Sequence, residues 1–138
     1  MRKNILIKII ITAVLVLIGT AAILIIKHID KEKTVAKAQG TITIELVDLD
    51  NNKTSKEFKY YEGDTLWSIM EKNYEVRYTT TQYGIFLYDI DEIKTDGIHT
   101  YIAIYLDDVY SSRGISYIEL KDGLLISLRE TVLWEENW

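Results

Sequence analysis

Cysteine and proline are both absent from the 138 residues, and histidine occurs only twice. Without cysteine the chain forms no disulfide, no thiolate metal site and no lipid attachment through sulfur. His28 and His99 are far apart in the sequence, so they do not predict a transition-metal site. Without proline, turns have to be located from glycine, asparagine and aspartate. The residues that remain informative are the acidic side chains and ten tyrosines.

Charge is divided unevenly along the chain. Residues 1–39 carry seven Lys/Arg against two Asp/Glu, a net charge of +5. Residues 40–138 carry nine against nineteen, a net charge of −10. Because so acidic a domain repels phosphate backbones, we expect no nucleic-acid partner.

The longest apolar run covers residues 5–26. These 22 residues, at about 1.5 Å each, reach roughly 33 Å, against a bilayer hydrocarbon core of about 30 Å. Fifteen of them are Ile, Leu or Val. Together they favour insertion by roughly 4–9 kcal/mol, whereas Lys8 opposes it by at most about 3 kcal/mol. We therefore expect residues 1–27 to form a transmembrane anchor or signal segment that contacts membrane lipid.

The length of this run favours a retained anchor, because the apolar core of a cleaved signal peptide has about 7–15 residues. A small-x-small sequence at residues 36–38 has the form of a cleavage site, but it lies well beyond the run. Lysines flank both ends, so the positive-inside rule leaves the orientation open. We expect a single-pass cell-membrane protein with a polar linker over residues 28–39 and an extracellular domain over residues 40–138.

The domain is organised around one amphipathic helix. Gly63 breaks the segment before it, and Asp64 or Thr65 can cap the helix by accepting a backbone hydrogen bond. Apolar residues then recur at helical spacing at Leu66, Ile69, Met70 and Tyr74. A helix with a single apolar stripe must bury that stripe, and the only predicted surface available to it is a sheet.

The other regular segments of the domain have strand character. Alternating or β-favouring runs cover residues 41–47, 54–61, 75–81, 83–90, 100–106, 117–120 and 124–133. A hairpin, a helix and then several strands predict an α+β domain, a β-grasp-like mixed sheet crossed by one helix and preceded by the N-terminal transmembrane helix. A split barrel with the helix as a plug is the alternative.

Short motifs along residues 41–131 carry a family resemblance. Gly-Asp-Thr-Leu at residues 63–66 opens the helix, Tyr-Gly-Ile-Phe at residues 83–86 leads to a turn, and Lys-Asp-Gly at residues 121–123 precedes the last strand. In this order and spacing they resemble the transcobalamin-like C-terminal domain family, in bacteria mostly an exported β-grasp domain of unknown function. The resemblance implies a ligand-binding module, with cobalamin or a related small molecule as the ligand. The chain has Tyr101-Ile102 where the family tends to have Tyr-Trp.

A second, shorter resemblance concerns residues 59–74, which are similar to the opening of a lysin motif, the small peptidoglycan-binding module. That module needs a second helix soon after the first, whereas residues 75–81 predict a strand. Peptidoglycan binding is therefore the alternative function. An interaction subunit of a larger membrane complex is a third.

The tyrosines suggest where a ligand binds. All ten follow residue 59, and several cluster in the second half of the domain. Tyrosine offers an apolar ring with a polar tip, which suits the recognition of a small molecule or a protein. It equally suits half-exposed strands without a binding role. On the first interpretation, the predicted ligand-binding residues are Tyr83, Tyr101, Tyr105, Asp107 and Tyr110.

Two acidic stretches invite a comparison with cation sites. Asp48-x-Asp50-x-Asn52 matches the first half of a calcium loop, but Lys53 and Lys59 stand where that loop needs Gly and Glu. This stretch therefore predicts a hairpin turn. The second set would hold a hard cation only if its two turns met at one end of the sheet, and it comprises Asp89, Asp91, Glu92, Asp96, Asp107 and Asp108. Solvated acidic turns are the interpretation we favour.

Catalysis has little support in the sequence. Ser111-Ser112 lacks the strand-to-helix elbow of a nucleophilic serine, and His99 has no nearby partner that suggests a triad. We predict a non-enzymatic protein without catalytic residues, metal or cofactor.

Overall fold

The computed structural model describes residues 2–31 and 36–133, which belong to two compact units, Met1–Ala36 and Lys37–Trp138. In the first unit, helix α1 (Arg2–Lys31) carries a segment, Lys3–Ala21, that is long and apolar enough to cross a membrane. The predicted N-terminal apolar helix is thus present, and it continues past residue 27 into the predicted linker. Residues 32–35 of that linker and residues 134–138 of the predicted domain lie outside the described residues.

Over the residues that the structure describes, the second unit consists of strands and one short α-helix. In chain order the elements are β1 (Gly40–Val47), β2 (Lys53–Tyr60), α2 (Leu66–Asn73), β3 (Val76–Thr81), β4 (Gly84–Ile90), β5 (Ile93–Lys94), β6 (Thr100–Leu106), β7 (Val109–Tyr110) and β8 (Leu125–Val132). The predicted α+β class is confirmed, and most strand boundaries fall within one or two residues of those predicted.

The strands form two sheets where the sequence analysis expected one. The larger sheet has the order β2-β1-β8-β6-β7, with β1 and β8 parallel and the other neighbours antiparallel. The smaller sheet has the order β3-β4-β5. The larger sheet is therefore mixed, as predicted. β3 and β4 pair locally as a hairpin, and β5 pairs with only two residues of β4, so the small sheet remains separate.

Helix α2 is set by its cap and its apolar stripe. The Thr65 hydroxyl accepts a hydrogen bond from the Ser68 backbone N–H at 3.1 Å, and the Ser68 hydroxyl accepts one from the Thr65 N–H at 3.0 Å. This reciprocal capping box satisfies two helix-end donors. The stripe packs into one core with residues of β1 and β8, whose fully buried members include Ile42, Ile44, Leu66, Met70, Ile126 and Leu128. The predicted packing of the helix on the sheet is confirmed.

The predicted strand over residues 117–120 is wrong. Ile115–Tyr117 forms a single 3₁₀ turn, with the Tyr117 N–H donating to the Gly114 carbonyl at 3.0 Å. Ile115 and Ile118 are three residues apart and both are buried. A tight turn brings residues at that spacing to the same side, which a strand does not. The segment therefore turns and anchors at two points on the core.

The acidic stretch between β1 and β2 is a hairpin turn, as predicted. The Asp48 carboxylate accepts hydrogen bonds from the Asn52 backbone N–H and side-chain amide, each at 2.8 Å. Asn51 adopts a left-handed backbone with φ of 64°, a conformation that asparagine tolerates better than most residues. The carboxylate of Asp48 thus closes the turn.

Candidate functional site

A cleft of about 1070 Å³ lies beside the tip of the β3–β4 hairpin in the second unit. Its lining comprises residues 81–86 of the hairpin, residues 112–114, Tyr117 and Glu119. We call it the tyrosine cleft. Its two walls are the hairpin tip and the segment that leads to β8, so the site depends on the contact between these two parts.

The hairpin tip is held by short-range hydrogen bonds. The Thr81 hydroxyl accepts from the Tyr83 N–H at 3.1 Å and donates to the Gly84 carbonyl at 3.0 Å. Gly84 has φ of +100°, and a Cβ there would lie 2.8 Å from the Ser116 hydroxyl oxygen. That same oxygen accepts from the Ile85 N–H at 3.1 Å. Glycine at position 84 therefore permits both the turn and the direct junction between the two walls.

The backbone of the opposite wall is held by two buried isoleucines and by hydrogen bonds. Ile115 and Ile118 are buried, whereas Tyr117 between them is 56% exposed. On the preceding side, the Ser111 hydroxyl accepts from the Arg113 N–H at 3.2 Å, and the Ser111 N–H donates to a β6 carbonyl at 2.8 Å. These anchors hold the loop in place, so the exposed side chains that it contributes to the cleft have a defined backbone beneath them.

Exposed aromatic side chains concentrate at this site. Among the described residues, the large aromatic side chains classed as exposed are Tyr61, Tyr78, Tyr83, Phe86, Tyr110 and Tyr117. Three of them line the tyrosine cleft, and Tyr110 lines the cavity next to it. Tyr83 has the greatest exposure of the set, at 78%. Clustered exposed apolar surface marks interaction sites more often than scattered residues do.

The charged groups of the cleft are Arg113 and Glu119. Neither forms an ion pair with the other or with any other described residue. Arg77 and Arg129 differ, since each binds an aspartate carboxylate at 2.7 Å and lies over a tyrosine ring. The cleft thus combines an aromatic lining with one cation and one anion that do not pair with each other.

The structure distributes the five predicted site residues over several places. Tyr83 lines the tyrosine cleft. Tyr101 and Tyr110 line an adjoining cavity of about 180 Å³, and Asp107 lines another of about 230 Å³. Tyr105 lies outside these three cavities. The five residues therefore do not line a single cavity, and the binding role assigned to each remains a prediction.

Tyr105 belongs to a ladder of contacts along the larger sheet. Its ring packs edge-on against Tyr110, with 5.7 Å between centroids, and the Arg129 guanidinium lies 4.0 Å from its centroid. Arg129 also donates to the Ser127 hydroxyl at 3.1 Å, and Ser127 donates to Glu45 at 2.7 Å. Arg129, Ser127 and Glu45 thus have hydrogen-bond partners within the ladder.

The turn between β6 and β7 is tied to β8. Asp107 and Asp108 both have left-handed backbones, with φ of 48° and 64°. The Asp107 carboxylate accepts from the Leu125 N–H at 3.0 Å, and Asp108 binds Arg129 at 2.7 Å. These bonds offset the strain of two non-glycine residues in that conformation. Asp107 thus has a structural partner within the fold.

The predicted acidic set does not converge on one point. Asp89 binds Arg77 through two hydrogen bonds at 2.7 and 2.8 Å, and these bonds hold the pKa of the Asp89 carboxyl below its usual value. Asp91 accepts from a backbone N–H, and Asp96 accepts from three backbone N–H groups and binds the His99 ring. Over the described residues, no group of three or more His, Asp or Glu could hold a metal ion. The carboxylates of this set are therefore bonded to separate partners, and Asp89 is buried, with 8% exposure, where a solvated turn was expected.

Sequence reasoning missed Arg113, Phe86 and Tyr117 as cleft residues. Tyr117 was assigned to a strand, and the spacing of Ile115 and Ile118 was the available signal for a turn. Arg113 carried no signal, because its significance depends on which other arginines are paired. The lysin-motif alternative also loses support, since α2 is followed by β3 where that module needs a second helix.

The fold and the cleft define a small α+β domain in which one helix packs on a mixed sheet and an open aromatic cleft lies at the tip of a hairpin. A domain of unknown function (DUF4430) matches residues 63–129. No curated protein matches the sequence.

Solved structures share this fold. One is a protein from Ruminococcus gnavus whose metal binding is suggested rather than demonstrated, with 18% identity, a TM-score of 0.62, and coverage of 70% of this chain and 100% of that chain. Another is haptocorrin in complex with Cbi, with 15% identity, a TM-score of 0.52 and coverage of 70% of this chain. This chain spans about a quarter of haptocorrin, 26% of its length. At these identities the likeness shows the fold alone, and it agrees with the resemblance to transcobalamin-like domains at that level.

Proposed function

We propose that the protein is a membrane-anchored, extracytoplasmic small-molecule-binding module without catalytic activity. The tyrosine cleft is the observation that carries this proposal. Protein sites for small molecules are concave and mostly apolar, enclose about 300–1,000 Å³, and carry a few polar groups that orient the ligand. The cleft has a comparable volume of about 1070 Å³, with exposed aromatic rings on both walls and two charged side chains.

Its lining supports binding rather than catalysis. None of the cleft residues is a histidine or cysteine. The nearby Ser116 hydroxyl is occupied by the Ile85 N–H. A nucleophilic serine requires a base within hydrogen-bonding distance, and no such pair occurs among the described hydrogen bonds of the cleft. The available chemistry is stacking, hydrogen bonding and charge attraction.

Cobalamin and related corrinoids are the first ligands to test. Haptocorrin shares the fold and is bound to Cbi in its structure. Aromatic rings such as those of Tyr83, Phe86 and Tyr117 pack well against a flat, largely apolar body. The corrinoid assignment rests on the fold similarity and on this lining together. It is therefore a narrower claim than the proposal that the cleft binds a small molecule.

Isothermal titration of residues 37–138 with cobalamin and other corrinoids tests the assignment. A double variant, Tyr83→Ala with Tyr117→Ala, removes an aromatic ring from each wall. Truncating an aromatic anchor costs about 1–2 kcal/mol, so the loss of both rings should lower the affinity by about 30-fold or more. Tyr61→Ala removes an exposed tyrosine outside the cleft and should leave the affinity unchanged.

The outcomes separate the two levels of the proposal. A flat trace with every corrinoid removes the corrinoid assignment. An equal loss in Tyr61→Ala and in the double variant would mean that the ligand does not occupy the cleft.

The membrane part of the proposal rests on α1. Its apolar side chains from Ile5 to Ile18 are exposed in the described structure, and its mean hydropathy over the candidate span is 2.3. We expect the full chain to stay in the membrane pellet after alkaline carbonate extraction. Protease added to intact cells should digest the domain that follows. Release by carbonate would contradict the anchor, and protection from protease would contradict the extracellular orientation.

A further inference from the structure

The three arginines of the second unit differ in one respect. Arg77 and Arg129 each hold an aspartate carboxylate and lie 4.8 and 4.0 Å from a tyrosine ring centroid. The guanidinium of Arg113 makes no hydrogen bond and no ion pair with any described residue. Arg113 lines the tyrosine cleft and both smaller cavities beside it. The one arginine of this unit without a partner among the described residues is thus the one at the candidate binding site.

We propose that the ligand of the tyrosine cleft carries an anionic group, a carboxylate or a phosphate, and that Arg113 binds it. This inference rests on the proposed function and adds the chemistry of the ligand. The planar guanidinium presents several N–H donors in a fixed fork, which matches the oxygens of carboxylates and phosphates. The same pairing is made twice elsewhere in this unit, by Arg77 and Arg129 with aspartates.

The position of Arg113 is defined by the loop that carries it. Its backbone N–H donates to the Ser111 hydroxyl at 3.2 Å, and the buried Ile115 follows two residues later. An anchored backbone reduces the ordering that a charged side chain must undergo when a ligand arrives. Tyr83 and Tyr117 then flank the ligand body while the anion lies at the guanidinium. The ligand class is a flat, apolar molecule with an anionic substituent.

The electrostatics of the domain make Arg113 necessary for such a ligand. Residues 40–138 carry a net charge of −10, which repels anions at long range. At physiological ionic strength charges beyond about 8 Å are largely screened, so nearby groups decide the binding. Glu119 lines the same cleft and opposes an anion. Arg113 and Glu119 therefore act in opposite directions on the same ligand.

The test uses two pairs of probes that differ mainly in the anion. Flavin mononucleotide and riboflavin differ by one phosphate, whereas 2-naphthoate and 2-naphthamide compare a carboxylate with a neutral amide. Each probe is titrated by fluorescence against the full chain in dodecyl maltoside micelles, with empty micelles as the blank. We expect the anionic member of at least one pair to bind about tenfold more tightly, as charge-assisted hydrogen bonds do. A difference within the flavin pair indicates that the site binds a phosphate, and a difference within the naphthalene pair indicates that it binds a carboxylate.

Variants assign the preference to its residue. Arg113→Gln should remove the difference within the pair, and Glu119→Gln should strengthen the binding of the anionic probe severalfold. Lys59→Gln is the matched control, because it removes one positive charge from β2, at the edge of the large sheet opposite β7. Its affinities should equal those of the unmodified protein.

Each outcome has a separate meaning. Equal binding of the neutral and anionic probes overturns the anion inference and leaves the small-molecule site standing. A preference that survives in Arg113→Gln also overturns it. Binding of none of the four probes overturns both the inference and the proposed cleft function for flat ligands.

Discussion

Replacing Leu66 by alanine should destabilise the second unit by about 2–5 kcal/mol. Leu66 is the first residue of α2, its exposure is 0%, and it packs in the core shared with β1 and β8. The substitution removes three carbon atoms, and at about 0.8 kcal/mol per buried methylene the transfer cost alone is about 2.4 kcal/mol. The cavity that remains between helix and sheet adds to this cost.

The measurement is urea unfolding of residues 37–138, followed by circular dichroism. Small domains have a total stability of about 5–15 kcal/mol, so a loss of this size moves the midpoint clearly. Leu49→Ala is the matched control. Leu49 lies in the turn between β1 and β2 with 52% exposure, and its replacement should cost less than about 0.5 kcal/mol.

A cost below about 0.5 kcal/mol for Leu66→Ala would refute the reasoning. It would mean that α2 does not use this face to hold the sheet, and the core described above would be wrong. A large cost in Leu49→Ala would show that the exposed turn carries stability that its contacts do not account for.

Three further predictions concern the cap, the hairpin tip and the ion pair between Arg77 and Asp89. Thr65→Ala should cost about 0.5–2 kcal/mol in the same unfolding assay, because it removes the capping oxygen; an unchanged midpoint would contradict the capping box. Gly84→Ala should destabilise the fold and weaken ligand binding in titration, since a Cβ at φ of +100° meets Ser116 at 2.8 Å; a variant with unchanged stability would show that the two walls are not in contact. The pKa of Asp89 is lowered by Arg77, so its contribution to stability is present above its unfolded pKa of about 3.9 and is lost as pH falls through the lower folded pKa. Unfolding measured between neutral pH and acid should therefore show a smaller acid-dependent loss in Asp89→Asn, and identical profiles would refute this contribution.

The helix and the strands could be predicted because their signals are local. Thr65, which caps α2, directly precedes the apolar stripe from Leu66 to Met70. The helix can therefore be recognised from one short stretch of sequence. Strand boundaries follow the same logic, since β1 and β6 alternate over seven or eight residues. The division into two sheets was missed because pairing between distant strands depends on the whole fold. The short β5, which leaves most of β4 unpaired on one side, carries no strong signal in the sequence.

The candidate site was only partly predictable for the same reason. The tyrosine excess drew attention to Tyr83, which lines the cleft, but the alternation of β6 could not show that Tyr105 is covered by Arg129. The significance of Arg113 depends on a comparison with the two other arginines of the unit. These pair with aspartates, Arg77 with Asp89 and Arg129 with Asp108, and the sequence does not show those pairs. The residue types indicated a binding function. The cleft itself could be located only from the contact between the hairpin tip and the 3₁₀ turn, which the sequence does not show.

Glycine amide resonances offer a direct test of where the ligand binds. Gly84 and Gly114 line the tyrosine cleft, whereas Gly40 and Gly63 lie at the start of β1 and before α2. In ¹⁵N-labelled residues 37–138 titrated with a ligand that binds, the amide signals of Gly84 and Gly114 should shift with the ligand concentration while those of Gly40 and Gly63 stay in place. Shifts confined to Gly40 and Gly63, with Gly84 and Gly114 unmoved, would contradict the assignment of the cleft as the binding site.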